Sequence, residues 1–378
     1  MKIAKFFALL CAVVAFASCE TATPDDNPVV DATGSITLKV ESAAVALGTP
    51  IKFTVVQDGQ DVTSLASIYL KDGSDIVTID GDSYTPATTG TYTFFATKGT
   101  EISANLSIAV LAEVPEYPVD LEPANTKFNH RVMILDHTGA GCGYCPLVTT
   151  ALHELEKTDL KQNYNEVTCH GGGYAGQSDP GWSAAAEKID DYTPGISGYP
   201  HVRINFTNGN LTSYSNPKSF ENDVRNVFKK IIKTDGADVG IAMNVVGDNE
   251  NVFVAASIKG NVTNEYKAVA WLLESKIINQ NQSNYGTSYD YHYIYNHAVR
   301  NISGNYSSAN VLGESIGTLE AGETFNTVFQ LPIVSKKWNV DNMEVIVIVS
   351  AKNAQGKWDV VNTAVCPVNQ QISFEYLK

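Results

Sequence analysis

Two cysteines separated by two residues, shortly after an apolar run, most constrain the fold that this chain can adopt. The run at 132–135 has the composition of a buried strand. Cys142 and Cys145 follow it, and Pro146 suits the first turn of a helix. A dithiol between a strand and a helix is typical of thiol–disulfide chemistry. The predicted element order over 128–235 is β-α-β-α-β-β-α, with apolar positions at helical spacing after Pro146.

The two cysteines predict different chemical roles. Helix N-termini and Cys-x-x-Cys turns lower a thiol pKa from about 8.5 to roughly 3.5–7.5. Cys142 is therefore the predicted exposed nucleophile, and Cys145 is the predicted resolving thiol. Gly143 and Tyr144 lie between them and are predicted to contact the substrate and to tune the reactivity of the pair.

Further residues resemble the pattern of thioredoxins. Asp136 lies before the pair, where thioredoxins hold a buried acid that moves a proton to or from the resolving cysteine. Tyr199-Pro200 resembles the dipeptide that carries the cis-proline beside the disulfide, and only X–Pro bonds adopt cis at low cost. The resemblance implies that the Tyr199 backbone pairs with a substrate strand and that Pro200 shapes the contact surface. Gly141 departs from the pattern, which has Trp there.

Other interpretations of these residues stay open. Cys142 and Cys145 are also compatible with a structural disulfide or with zinc ligation, although no second Cys-x-x-Cys or His pair stands at ligand spacing. Asp136 is compatible with a solvated acid at a strand end, and Pro200 with a trans turn proline. We predict no metal site and no cofactor.

The N-terminus predicts secretion and lipidation. Residues 1–18 combine a short basic region with an apolar run shorter than the roughly 20 residues that span a bilayer. Small residues before Cys19 resemble the lipobox of bacterial lipoproteins, although Phe16 stands where Leu is usual. Disulfides persist beyond the inner membrane. Cys169 and Cys366 are therefore predicted to be either inert buried thiols or a pair.

Composition narrows the class of protein. The hydrophobic content of 44% and the charged content of 18% are typical of a globular chain. The length of 378 residues predicts about two or three domains. A net charge of −15 disfavours nucleic acid and anionic membrane surfaces as partners.

The rest of the chain divides into β-rich segments and linkers. The polar stretch 19–33 predicts a flexible tether, and the prolines of 113–127 predict a stiff linker. Short alternating strands with Asp-Gly turns over 34–112 are typical of an immunoglobulin-like β-sandwich. Apolar runs over 236–378 predict a second sandwich. The predicted fold class is a multidomain chain with a central α/β thioredoxin-like domain, at 128–235, between two sandwiches.

Three segments resemble one family of lipoproteins. They are 138–146, 271–274 and 295–300. The family is named for a twenty-eight-kilodalton outer-membrane antigen of Gram-negative anaerobes. The resemblance covers 128–378 and implies a thioredoxin-like domain followed by a β-domain at the outer membrane.

These observations predict a membrane-anchored thiol–disulfide oxidoreductase-like lipoprotein of the outer membrane, facing the periplasm or the cell surface. Its predicted partners are a protein thiol or disulfide substrate or a surface protein, and the membrane through its lipid. The alternative is a non-catalytic binding or adhesion lipoprotein that recognises a glycan or a protein and has a structural disulfide.

Overall fold

A computed structural model describes residues 36–377 except 41, 43, 74, 112–113, 172–175 and 305–309. The described part contains 24 β-strands and three α-helices. The predicted signal peptide, the lipidation residue Cys19 and the tether lie outside the described residues. None of the described helices is long and apolar enough to cross a membrane.

The N-terminal strands form two sheets that share one apolar core. Along β3 (Ile51–Gln57), buried residues alternate with exposed or partly exposed ones, so one face of the strand packs inward. The rings of Phe53 and Phe94, one from each sheet, lie 4.7 Å apart. The first sheet contains β1 (Ile36–Val40), β3 (Ile51–Gln57), β4 (Gln60–Asp61) and β7 (Ser83–Tyr84). The second contains β2 (Ala44–Ala46), β5 (Ser67–Asp72), β6 (Asp75–Thr78), β8 (Gly90–Lys98), β9 (Glu101–Ile102) and β10 (Leu106–Leu111).

One eight-stranded mixed sheet runs through the rest of the fold. Its strands are β11 (Val132–Thr138), β12 (Tyr164–His170), β13 (His201–Ile204), β16 (Asn264–Glu274), β19 (Ala298–Ile302), β20 (Glu314–Leu319), β22 (Met343–Lys352) and β23 (Trp358–Pro367). Their order is β13-β11-β12-β19-β16-β22-β23, with β20 also on β16. β12 lies parallel to both β11 and β19, whereas β13 is antiparallel to β11.

Three helices cover this sheet: α1 (Cys145–Leu155), α2 (Ala184–Tyr192) and α3 (Pro217–Ile231). α1 and α3 pack on the face of β11 that carries Ile134, through residues such as Leu152 and Phe220. α2 packs on the opposite face, where Leu135 and Ile189 belong to one core. Side-chain caps fix the starts of α2 and α3, because Ser183 and Asn216 each accept a backbone N–H of the first turn.

A second, antiparallel sheet packs on the C-terminal half of the mixed sheet. It has the order β21-β15-β14-β24 and shares a core with β16 and β22, to which Val245, Val254, Leu272 and Val347 contribute. Its strands are β14 (Val239–Gly247), β15 (Asn251–Gly260), β21 (Thr324–Pro332) and β24 (Gln370–Ile372). A short separate hairpin pairs β17 (Ile277–Ile278) with β18 (Ile294–Tyr295).

The predicted fold class, an immunoglobulin-like sandwich, a central thioredoxin-like α/β domain and a C-terminal sandwich, is wrong. The described chain is mostly β-sheet, and no separate central α/β domain is evident in it. Instead, β13, β11 and β12 form one end of a sheet that continues through β19, β16 and β22. The free edge of β12 is satisfied by β19, a strand some 130 residues later. Local periodicity predicts that a strand forms, but not which strand lies beside it.

A buried ammonium group anchors the segment before β11 to the antiparallel sheet. Lys259 of β15 is 1% exposed. Its Nζ donates hydrogen bonds to Asp120 Oδ2 at 2.8 Å and to the carbonyl oxygens of Pro123 and Asn125 at 2.8 and 2.9 Å. A charge this well buried is stable only with partners of this kind.

We expect Lys259→Met to destabilise the protein by about 3 kcal/mol, because it removes the ammonium group that binds Asp120 Oδ2 and two carbonyl oxygens. Lys352→Met is the control, since the pair of Lys352 with Glu265 is exposed and contributes less than about 1 kcal/mol. Urea unfolding measures both losses. Equal losses would show that the Lys259 cage does not stabilise the fold.

Candidate functional site around the Cys142–Cys145 disulfide

Cys142 and Cys145 form a disulfide at the turn between β11 and α1, with their Cα atoms 5.5 Å apart. The backbone N–H of Cys142 donates to the carbonyl of Gly139 at 3.0 Å, and Cys145 is the first residue of α1. Cys142 is 4% exposed and Cys145 is 1% exposed. The predicted exposure of Cys142 is therefore wrong, and the nucleophilic and resolving roles of the pair stay predictions.

A segment from the C-terminal half of the chain covers the pair; we call residues 279–293 the cap segment. The N–H of Ser283 donates to the carbonyl of Ala140 at 2.8 Å. The N–H of Tyr285 donates to the carbonyl of Gly143 at 3.0 Å, inside the Cys-x-x-Cys turn. Two backbone hydrogen bonds thus join the disulfide turn to the cap segment.

Gln282 fixes the cap segment from its buried side. Its Nε2 donates to the carbonyl of Cys142 at 3.1 Å, and its Oε1 accepts from the hydroxyl of Tyr295 at 2.7 Å. That hydroxyl in turn accepts from Asn279 Nδ2 at 2.6 Å. Every polar group in this chain of contacts has a partner, which holds one arrangement of the cap over the disulfide.

The two predicted substrate residues between the cysteines differ in exposure. A Cβ at Gly143 would lie 2.0 Å from Cδ2 of Tyr285, so the ring of Tyr285 fills the space beside the turn. Tyr144 is 57% exposed and meets Tyr285 edge-to-face, with ring centroids 5.6 Å apart. The contact of Gly143 and Tyr144 with a substrate stays a prediction.

The Tyr199–Pro200 peptide bond is cis. The hydroxyl of Tyr199 donates to Asp190, and the other oxygen of Asp190 lies 2.6 Å from Nδ1 of the buried His137. These bonds tie the residues before β13 to α2 and β11. The substrate roles of Tyr199 and Pro200 stay predictions.

Asp136 lies behind the disulfide, at the end of β11. It is 2% exposed, and its Oδ1 has no hydrogen-bond partner among the described residues. A cavity of about 50 Å³ is lined by Asp136, Cys145, Glu166 and other residues. Burial raises the pKa of Asp136 well above its usual value, and the nearby Glu166 raises it further. Its role in proton transfer stays a prediction.

Asp179 is equally buried but fully partnered. Its oxygens accept the N–H groups of Ala140 and Gly181, both at 2.7 Å, and lie 2.9 Å from Nδ1 of His170. Burial opposes ionisation of Asp179, but the His170 hydrogen bond and charge and the two backbone bonds hold its pKa below the usual value. No local pattern predicted Asp179 as a partner of the disulfide turn, because it lies in a glycine-rich loop far from the cysteines in sequence.

Cys169 and Cys366 are both buried and both free, so the predicted alternative of a Cys169–Cys366 pair is wrong. Burial raises the pKa of Cys169 well above its usual value and that of Cys366 to about 11. Both are thiols at neutral pH, as expected for inert buried cysteines.

Residues 188–371 match the model of a family of outer membrane proteins. The family is described as Outer membrane protein Omp28, and the predicted resemblance is confirmed over this part of the chain. The predicted outer membrane localisation is confirmed by the same match. The matched part includes the cap segment, whereas the two cysteines lie before it.

No curated protein matches the chain significantly. Among solved structures, HBP35 of Porphyromonas gingivalis is 15% identical, with 64% of this chain and 76% of that chain covered and a TM-score of 0.49. β-Glucosidase 3B from Thermotoga neapolitana in complex with glucose is 13% identical, with 37% and 17% covered and a TM-score of 0.19. At these values neither structure assigns a function to this chain.

We expect Gly143→Ala to expose the disulfide, because the new methyl group displaces the ring of Tyr285. Loss of one cap hydrogen bond of about 1 kcal/mol would speed reduction by dithiothreitol roughly five- to tenfold. Tyr285→Ala removes the clash, so Gly143→Ala should have no further effect in that background. Reduction rates, followed by thiol labelling, test this cycle, and an additive outcome contradicts the contact.

Asp136 and Asp179 should shift stability in opposite ways. The raised pKa of Asp136 means that its stabilising effect is full below the unfolded value of about 3.9 and falls as pH rises. Asp136→Asn should therefore stabilise the protein at pH 7, and the gain should vanish at low pH.

The lowered pKa of Asp179 has the reverse consequence: its contribution is full above the unfolded value and is lost as pH falls. Asp179→Asn should destabilise the protein at pH 7. Urea unfolding of the wild type and both variants between pH 4 and 8 gives the comparison. A pH-independent difference for Asp136→Asn would show that this carboxyl does not titrate differently on folding.

Proposed function

We propose that the protein is a non-catalytic binding lipoprotein of the outer membrane, in which the Cys142–Cys145 disulfide is structural. The observation that carries this proposal is the cap segment bonded across the disulfide turn. Thiol–disulfide exchange needs a thiolate to reach one sulfur, and both cysteines are buried beneath the chain's own residues.

Opening the cap would cost several hydrogen bonds. The backbone bonds of Ser283 and Tyr285 and the side-chain bond of Gln282 to Cys142 would all break. At about 1 kcal/mol each, these three bonds would keep the open form below roughly one per cent of molecules. This supports a disulfide that holds the cap in place over one that turns over.

The outer side of the cap offers a surface for a partner. Tyr144, Tyr285 and Tyr289 are 57%, 77% and 45% exposed, and Tyr289 stacks on Tyr291 at 5.0 Å. We call these four residues the tyrosine surface. Exposed aromatic groups with a polar tip are enriched at binding surfaces, because they bury much area at low entropic cost. The proposed partner is a glycan or a protein, bound by a chain that is tethered through a lipid on Cys19.

Thiol–disulfide exchange is the competing candidate. The observation in its favour is that Oδ1 of Asp136, which lines the cavity together with Cys145, has no hydrogen-bond partner among the described residues. That exchange would require the cap to open first, so it predicts a slow activity that increases when the cap is weakened.

Binding and turnover can be separated with two double variants. Cys142→Ser/Cys145→Ser should retain partner binding and lose about 2 kcal/mol of stability, the value for so short a loop. Tyr285→Ala/Tyr289→Ala should lose binding on a glycan array or to a purified surface protein. Tyr69→Ala is the control, since its ring lies in the N-terminal sheet.

Insulin reduction gives the opposing readout. We expect no turnover by the wild type and none by Tyr285→Ala, whose cap is weakened. Turnover that rises in Tyr285→Ala and disappears in Cys142→Ser would replace the binding proposal by the oxidoreductase.

A further inference from the structure

A second cluster of side chains, all of types that can bind a metal, lies near the end of α1. One of its members, Glu166, also lines the cavity beside Asp136. Glu156 follows the last turn of α1, Glu166 lies in β12, and His297 precedes β19. One ligand atom from each of these three residues lies within 4.8 Å of the others. The members come from three separate elements, so no spacing in the sequence indicates the cluster.

His297 has the kind of carboxylate partner that a metal-binding imidazole commonly has. Its Nδ1 lies 2.5 Å from Oε1 of Glu344, and its backbone N–H donates to the hydroxyl of Ser275 at 3.0 Å. The contact with Glu344 leaves Nε2 as the ring nitrogen that can bind a ligand. Metal-bound histidines commonly donate their other N–H to a carboxylate, which fixes the tautomer.

Carboxylates outnumber cations around His297 among the described residues: Glu156, Glu166 and Glu344 lie near it, with Lys161 as the neighbouring ammonium group. Glu166 makes no hydrogen bond or ion pair with any described residue, although it is only partly exposed. Glu156 is paired through one oxygen with Lys161, at 2.6 Å. Behind them, the nearly fully buried Asp136 has an Oδ1 with no hydrogen-bond partner among the described residues, and Asp136 and Glu166 line the same cavity. Neighbouring acids with so few partners are stabilised when a cation binds between them.

We propose that Glu156, Glu166 and His297 form a binding site for a divalent transition metal of the Zn²⁺ class. One imidazole nitrogen with two carboxylate oxygens is a ligand set that Zn²⁺ accepts in tetrahedral sites, with water in the fourth position. Ca²⁺ and Mg²⁺ prefer oxygen ligands alone. Glu344 is a positioning residue that orients His297, and Lys161 competes with the metal for Glu156.

The site predicts a specific pattern of affinities. The full-length, tag-free protein in detergent, treated with a chelator, should bind one Zn²⁺ in calorimetric titration. His297→Gln and Glu166→Gln should each weaken binding at least tenfold, and Glu344→Gln should weaken it by about 10–100-fold. Lys161→Met should strengthen binding, because it removes the competing ammonium group.

Glu154→Gln is the matched control. Glu154 lies in α1, two residues before Glu156, and its carboxylate pairs with Lys157 outside the cluster. Its affinity for Zn²⁺ should equal that of the wild type. Co²⁺ added to the apo protein should give the visible absorption of a tetrahedral site, and this absorption should be lost in His297→Gln.

Three results would overturn the proposal. They are the absence of Zn²⁺ binding, Zn²⁺ binding that is equal in wild type, His297→Gln and Glu166→Gln, and tighter binding of Ca²⁺ or Mg²⁺ than of Zn²⁺. Circular dichroism confirms that each variant is folded before titration. Neither the binding role nor the oxidoreductase role of the disulfide region affects these outcomes.

Discussion

The pairing of β12 with β19 is the contact on which the rest of the structure depends. It joins Thr168 to Ala298, and the N–H and hydroxyl of Thr168 donate to the carbonyls of His297 and Asn296 at 2.9 and 2.8 Å. Because β19 also pairs with β16, this contact makes one sheet out of the strands before and after residue 236. The same contact brings the segment before β19 to the end of β11, where the disulfide lies.

The disulfide and the acidic cluster are both consequences of that pairing. The cap segment precedes β18 and β19, so its position over the Cys142 turn follows from where β19 lies. His297 is the residue before β19 and is therefore placed beside Glu166 of β12. Reactive cysteines at helix N-termini are partly exposed to solvent. In this protein, residues after α3 cover the two cysteines and place His297 beside Glu166 of β12.

Local sequence signals predicted the elements but not the assembly. The strand before Cys142 and the helix after it follow from periodicity, the burial of Asp136 is implied by the resemblance to thioredoxins, and the structure contains each of them. The cap does not follow from such signals. Its only trace is a stretch rich in tyrosine and asparagine, a composition that ordinary loops share. Strand partners and caps depend on contacts distant in sequence, which a periodic pattern cannot encode.

Asp136 and Asp179 are both buried, but they differ in their hydrogen-bond partners. Asp179 has two backbone donors and His170, so its charge is satisfied and it secures Ala140 beside the disulfide. Oδ1 of Asp136 has no hydrogen-bond partner in the described part of the chain, and Asp136 lines a cavity together with Glu166. Folding tolerates an unsatisfied buried carboxyl only when other contacts over-determine its position. The contacts of β11, β12 and the cap segment fix the position of Asp136 in this way. They allow two neighbouring acids, Asp136 and Glu166, to remain together behind the disulfide, although placing them there costs free energy.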